Sequence, residues 1–151
     1  MDLNAAFPEL LPKALSWAET EARRGADDGR ALTERECEFA RKVGVTHPER
    51  IRIVTVEVLP MPTDAPLRAA AAQTGFLNPR MKGLTLGHSV FICRGYETPT
   101  VLSHEFRHVY QYEQAGSIAA FLSRYLRERV ERGDAATSFD IDATTHERTD
   151  L

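Results

Sequence analysis

Cysteine is scarce in this sequence: Cys37 and Cys93 are the only two among 151 residues. So few thiols exclude a disulfide-knotted miniprotein, and they fit reduced side chains in a cytosolic setting better than a bridge. Long hydrophobic runs are missing as well. No apolar stretch approaches the roughly 18 residues that a membrane helix needs. Met1-Asp2-Leu3-Asn4 lacks the basic segment and following apolar stretch of a secretory signal. A cytoplasmic location without a membrane partner is therefore expected. Positive charge is not in excess either: 19 Lys and Arg face 22 Asp and Glu, a formal charge of −3. That balance argues against a nucleic-acid partner, whose phosphates call for a basic footprint. Internal repeats and low-complexity segments are also lacking.

What is present is the composition of a soluble globular protein, 42% hydrophobic and 27% charged, at a length that suits a single domain. It reads as an N-terminal helical part (1–45), a strand-containing middle (51–94) and a C-terminal helical part (100–151). Leu11, Leu15, Ala18 and Ala22 recur at helical spacing, which predicts a helix over Pro8 to Arg24 with Pro12 in its first turn. Gly25 and the run to Gly29 would break it. Thr33 with Glu36 is a capping box that opens a second helix, and Gly44 closes it. Trp17 and Phe39 belong in or near the core. Ile51 to Leu59 is β-branched and nearly continuous in its apolar character, which predicts a well-buried strand. Pro60, Pro62 and Pro66 end it, and Leu67 to Gln73 fits a short helix before a loop from Gly75 to Gly83. Leu84–Leu86 and Val90–Ile92 read as strands with a bend or bulge at Gly87. Helices follow from about Thr100 and from Ser117 to Arg132. Gly133 ends the second, the chain turns at Asp134, and a last helix starts at Ser138, a candidate N-cap.

The chemistry is concentrated in His104-Glu105-Phe106-Arg107-His108, an HExxH motif. Histidines four positions apart on a helix project from one face, so both imidazoles can reach one metal ion. The glutamate between them lies about 100° round the helix from His104 and can contact a metal-bound water instead of the metal. Leu102, Phe106 and Val109 form an apolar stripe; His104, His108 and Gln111 lie on another face, with Tyr112 beside them. Glu113 falls on the apolar stripe. A carboxylate there must be paired, so it is expected to be buried and held by an arginine or by backbone N–H groups.

A catalytic zinc takes three protein ligands and leaves one position open. The third ligand must come from outside the motif. Asp140, Asp142, His146 and Glu147 on the last helix are the candidates; Asp140 and Glu147 share one face and Asp142 and His146 another. For each, stabilising a helix terminus is the competing role.

Several stretches resemble a family of small bacterial proteins described as zincin-like zinc metallopeptidases. They are Ala40–Val45, Pro48–Arg52, Gly83–Gly87, Leu102–Glu113 and Phe121–Leu126. The resemblance implies an α+β, minimal zincin-like domain, mostly helical, with a small sheet packed on the HExxH helix. It implies a zinc ion held by His104, His108 and a third ligand. The family closes with a Leu-Glu-x-Glu-Ala pattern, and here that place reads Phe139-Asp140-Ile141-Asp142-Ala143. Asp140 would stand at the ligand position with a side chain one methylene shorter. His88 is a second departure, where the family carries a tyrosine. It is read as an exposed loop residue, with a hydrogen-bond donor or an extra metal ligand as the alternatives.

The expected function is zinc-dependent hydrolysis of a peptide or amide bond, with Glu105 as general base and a peptide or protein as substrate. Tyr112, one turn beyond His108, is the first candidate to stabilise the oxyanion, with His88 second. The strand near Leu84 to Leu86 would offer its free edge to an extended peptide. The alternative is a non-catalytic zinc-binding interaction module. Against it, a structural zinc site has no use for a base between its ligands.

Overall fold

The computed structural model describes residues 1–133 and 135–151; Asp134, where the sequence places a turn, lies outside them. Helix α1 (Leu3–Asp28) starts earlier and ends later than its periodicity predicts. Asp2 caps it by accepting from the N–H groups of Asn4 and Ala5, so Pro8 and Pro12 both fall inside the helix, not in its first turn. Gly25 does not break it. A β-carbon at Gly25 would lie 2.7 Å from Cβ and Oγ of Ser89, so the missing side chain lets helix and sheet approach closely. Ser89 seals that contact by donating to the Ala22 carbonyl at 2.6 Å.

A two-residue strand β1 (Arg30–Ala31), not foreseen, leads to α2 (Glu34–Lys42), whose capping box between Thr33 and Glu36 is formed as predicted. Strand β2 (Arg52–Val56) is shorter than the apolar run that encodes it. Its parallel partner β4 (Ser89–Cys93) ends opposite Val56, so the chain beyond leaves the sheet and Val58 is exposed. Within β2 only Ile53 is fully buried; Val54 and Val56 are half-buried. Helix α3 (Ala65–Thr74) precedes the predicted loop. Strand β3 (Gly83–Leu86) then pairs antiparallel with β4. Gly87, at φ 67°, and His88 form a tight hairpin turn where a bend or bulge was expected.

The sheet is mixed and four-stranded, in the order β1-β2-β4-β3, which leaves β3 at one edge. Helices α4 (Pro99–Ala115), α5 (Ile118–Arg132) and α6 (Ser138–Thr145) complete the α+β fold. Thr98, Ser117 and Thr137 cap them, the last one residue ahead of the expected Ser138. One apolar cluster joins α2, the sheet and α4 through Phe39, Ile53, Val90, Ile92 and Phe106. A second joins α1, β3 and α5 through Ala18, Leu86, Phe91, Phe121 and Tyr125. Trp17 packs half-buried against the second cluster. No helix among the described residues is long and apolar enough to cross a membrane. Both cysteines are free thiols.

Glu113 behaves as its place on the apolar stripe demands. Its carboxylate accepts from the backbone N–H groups of Thr46 (2.7 Å) and His47 (3.0 Å), and its side chain is 7% exposed. His88 closes the cluster with Nε2 at 3.0 Å. The contacts tie α4 to the segment after α2 and to the β3–β4 turn. Removing the carboxylate leaves two backbone donors without partners, at about 1–3 kcal/mol each. Glu113→Ala should therefore lower the melting temperature by several degrees in thermal denaturation, with zinc affinity unchanged.

Candidate functional site

Helix α4 presents the HExxH residues to a cleft of about 530 Å³. Leu102, Phe106 and Val109 anchor the helix in the core, fully buried. His104, Glu105 and His108 line the cleft with Gly83 and Thr85 of β3, Tyr125 of α5, and Asp140 and Glu147.

Both histidines are oriented through Nδ1. His104 Nδ1 lies 3.0 Å from Glu147 Oε2, and His108 Nδ1 lies 2.7 Å from Gln111 Oε1. These acceptors favour the tautomer protonated at Nδ1, which leaves the Nε2 lone pairs available to a metal. Gln111 is itself held by donating to the Phe139 carbonyl and to Asp142, each at 2.9 Å.

The candidates for the third ligand separate by their partners. Asp142 is engaged by Arg107 (2.7 Å) and by Gln111, which together hold its carboxyl below its ordinary range. His146 caps α6 and turns Nδ1 to the Asp142 carbonyl at 2.8 Å. Glu147 is the Nδ1 partner of His104. Asp140 stands across from His108, with Oδ1 3.6 Å from Nε2. Tyr125 donates to the same carboxylate at 3.0 and 3.1 Å, and Thr137 Oγ1 at 2.9 Å. Burial, then the Asp140 charge, push the Tyr125 phenol well above its ordinary range, so it stays protonated as a donor.

Among the described residues, no group of three or more His, Cys, Asp or Glu side chains is arranged to hold a metal ion. Asp140 is turned onto Tyr125 and Thr137, and His104 onto Glu147. Two separations nevertheless fit the donor set to a tetrahedral ion. With bonds of about 2.0–2.1 Å, two ligand atoms lie roughly 3.3 Å apart and two imidazole centres roughly 5 Å apart. The observed values are 3.6 Å for His108 Nε2 to Asp140 Oδ1, and 5.0 Å between the His104 and His108 ring centres.

Glu105 is 6% exposed and accepts from the Thr85 hydroxyl at 2.8 Å. Its carboxylate fits because residue 83 is glycine: a β-carbon there would lie 2.8 Å from Glu105 Cγ and 2.9 Å from its carboxylate carbon and Oε2. Gly83→Ala should fold with little loss of stability, since a carboxylate tip can move, but with Glu105 displaced. The expected readout is retained zinc affinity, with activity reduced at least tenfold through the misplaced base.

Tyr112 lines the cleft, but its hydroxyl donates to the Thr85 carbonyl at 3.1 Å. Burial and the Glu105 charge hold its phenol far above the ordinary range. His88 does not line the cleft. It lies half-buried on Glu113, which corrects both the exposed-loop reading and its alternatives as donor or ligand. Tyr125 and Gln111 are the residues whose parts were not foreseen. The identity of Tyr125 as an apolar-stripe aromatic on α5 disguised its hydroxyl. Gln111 was placed on the histidine face without a role.

Comparison with family models, with curated proteins and with solved structures finds no match to this chain.

Proposed function

We propose that the chain is a zinc-dependent hydrolase of peptide or amide bonds, of minimal zincin-like fold. The reading rests on one observation above the others: two histidines of one helix turn, both oriented through Nδ1, with a buried glutamate between them in an open cleft. His104, His108 and Asp140 would hold the metal, Glu147 and Gln111 orient the histidines, and Tyr125 and Thr137 orient Asp140. A bound zinc would acidify a water to a pKa of roughly 7 and polarise the scissile carbonyl.

Glu105, held by Thr85, is positioned as the base that takes a proton from the attacking water. It then delivers that proton to the leaving amine. The edge strand supplies substrate positioning. In the register of the β3–β4 hairpin, Leu84 and Leu86 pair with β4, and the backbone groups of Gly83 and Thr85 point outward. The Thr85 carbonyl already accepts from Tyr112. The remaining outward groups, those of Gly83 and the Thr85 N–H, are free to pair with an extended peptide laid across the cleft. Tyr112 thus sets the edge, and its hydroxyl is the nearest candidate donor should the Thr85 contact open on substrate binding.

The reading is tested by incubating the protein with a mixed peptide library and following cleavage by mass spectrometry. Cleavage should stop with chelator and return on adding zinc. Cleavage that survives exhaustive chelation would contradict it.

A further inference from the structure

We propose that Arg129 makes this cleft selective for ligands that carry a carboxylate. The proposal deepens the hydrolase reading and rests on it for the ligand being a peptide. Arg129 lies on α5 one turn beyond Tyr125, whose hydroxyl holds Asp140, and it lines the same cleft as His104 and His108. Its charge is close enough to offset part of the rise of the Tyr125 phenol.

Its polar atoms are poorly served. Nε is buried without a hydrogen-bond partner, and Nη1 reaches only the Ala135 carbonyl, at 3.4 Å. No carboxylate pairs with it among the described residues. The neighbouring arginines differ. Arg127 lies over the Phe7 ring, and Arg132 faces Glu128 at 3.6 Å. A half-buried guanidinium without a counter-charge is costly, and the shortfall is made good when a ligand brings the charge. A carboxylate is the matching group, because it accepts two parallel N–H bonds from the guanidinium fork. Arg80, exposed on the loop before β3, adds a second positive charge to the cleft wall. Lys82, also on that wall, is instead placed over the Tyr96 ring.

The apolar wall beside Arg129, formed by Phe76 and Leu122, guides the choice of probe. A carboxylate can come from a peptide C-terminus or from an acidic side chain. N-acetylleucine carries the first, N-acetylglutamic acid α-amide the second, and N-acetylleucinamide neither. Each is titrated into the full chain by NMR, after chelation and again with one equivalent of zinc. The parent is compared with Arg129→Gln and Arg129→Lys. At least one carboxylate should bind the chelated parent about tenfold or more tightly than the amide does, and Arg129→Gln should remove that advantage. Arg129→Lys should keep part of it, and it serves as the comparison if the glutamine variant does not fold. Which carboxylate binds identifies the source.

Equal affinity for the amide, no binding of either carboxylate, or unchanged affinity in the folded variant would overturn the proposal. Zinc uptake is measured separately by competition with a chromophoric chelator. If zinc binds but Arg129 does not matter, the selectivity falls and the hydrolase reading stands. If carboxylate binding depends on Arg129 but zinc is not taken up, the reverse holds.

Discussion

Glu105→Gln should abolish hydrolysis and leave zinc bound. Glutamine has the size and shape of the native side chain, and its amide oxygen can still accept from Thr85 Oγ1, which lies 2.8 Å from the carboxylate. Gly83 leaves the same room for it. What disappears is the group that takes a proton from water and returns it to the leaving amine. Proton transfer by a positioned side chain is worth about 10²–10⁴ in rate. Because the same carboxylate serves both transfers, the loss should lie at the upper end. Single-turnover kinetics on a cleaved peptide, with zinc content measured on the same sample, separates the two functions. A variant that turns over within a few fold of the parent would remove Glu105 from the mechanism.

His104→Ala and His108→Ala carry the second large effect, on metal affinity. Losing an outer partner of a ligand typically costs 10–100-fold in affinity. Loss of an imidazole that binds the metal should exceed that range. Asp140→Ala should be milder than either histidine variant, because Glu147 lines the same cleft and can swing in as a substitute oxygen donor. Glu147→Gln should fall within the 10–100-fold range, as expected of a group that only orients His104. Competition with a chromophoric chelator gives the order directly. If His104→Ala binds zinc as tightly as the parent, the metal site lies elsewhere.

What the sequence made legible was local. The HExxH spacing places its three functional side chains by the pitch of a single helix, and no distant contact is needed to read it. The capping box at Thr33 and the glycine after α4 act within one turn, and they mark helix ends correctly. Glu113 was legible for a related reason: a carboxylate on an apolar stripe has to be paired wherever the partners come from. What escaped was decided by residues far apart in the chain. Gly25 has the signature of a helix breaker, and only the presence of Ser89 against it turns it into a packing contact. The apolar run from Ile51 looks longer than β2 because the strand ends where its partner β4 ends, which Val58 cannot report.

Within the site, Asp140, Asp142, His146 and Glu147 are equivalent in sequence and distinct in space. Arg107 and Gln111 claim Asp142, and His104 claims Glu147, so Asp140 is left facing His108. Tyr125 was read for its ring, which does pack in the second cluster, while its hydroxyl holds Asp140. His88 was drawn away from the cleft by Glu113, a contact across 25 positions.

The most direct test of the central claim is zinc X-ray absorption, with elemental analysis, on the chain purified without chelator. The account predicts one zinc ion per chain in a shell of nitrogen and oxygen donors, two of them imidazole, with one position open to water. A chain that takes up no zinc when it is supplied, or zinc bound through sulfur, would contradict it.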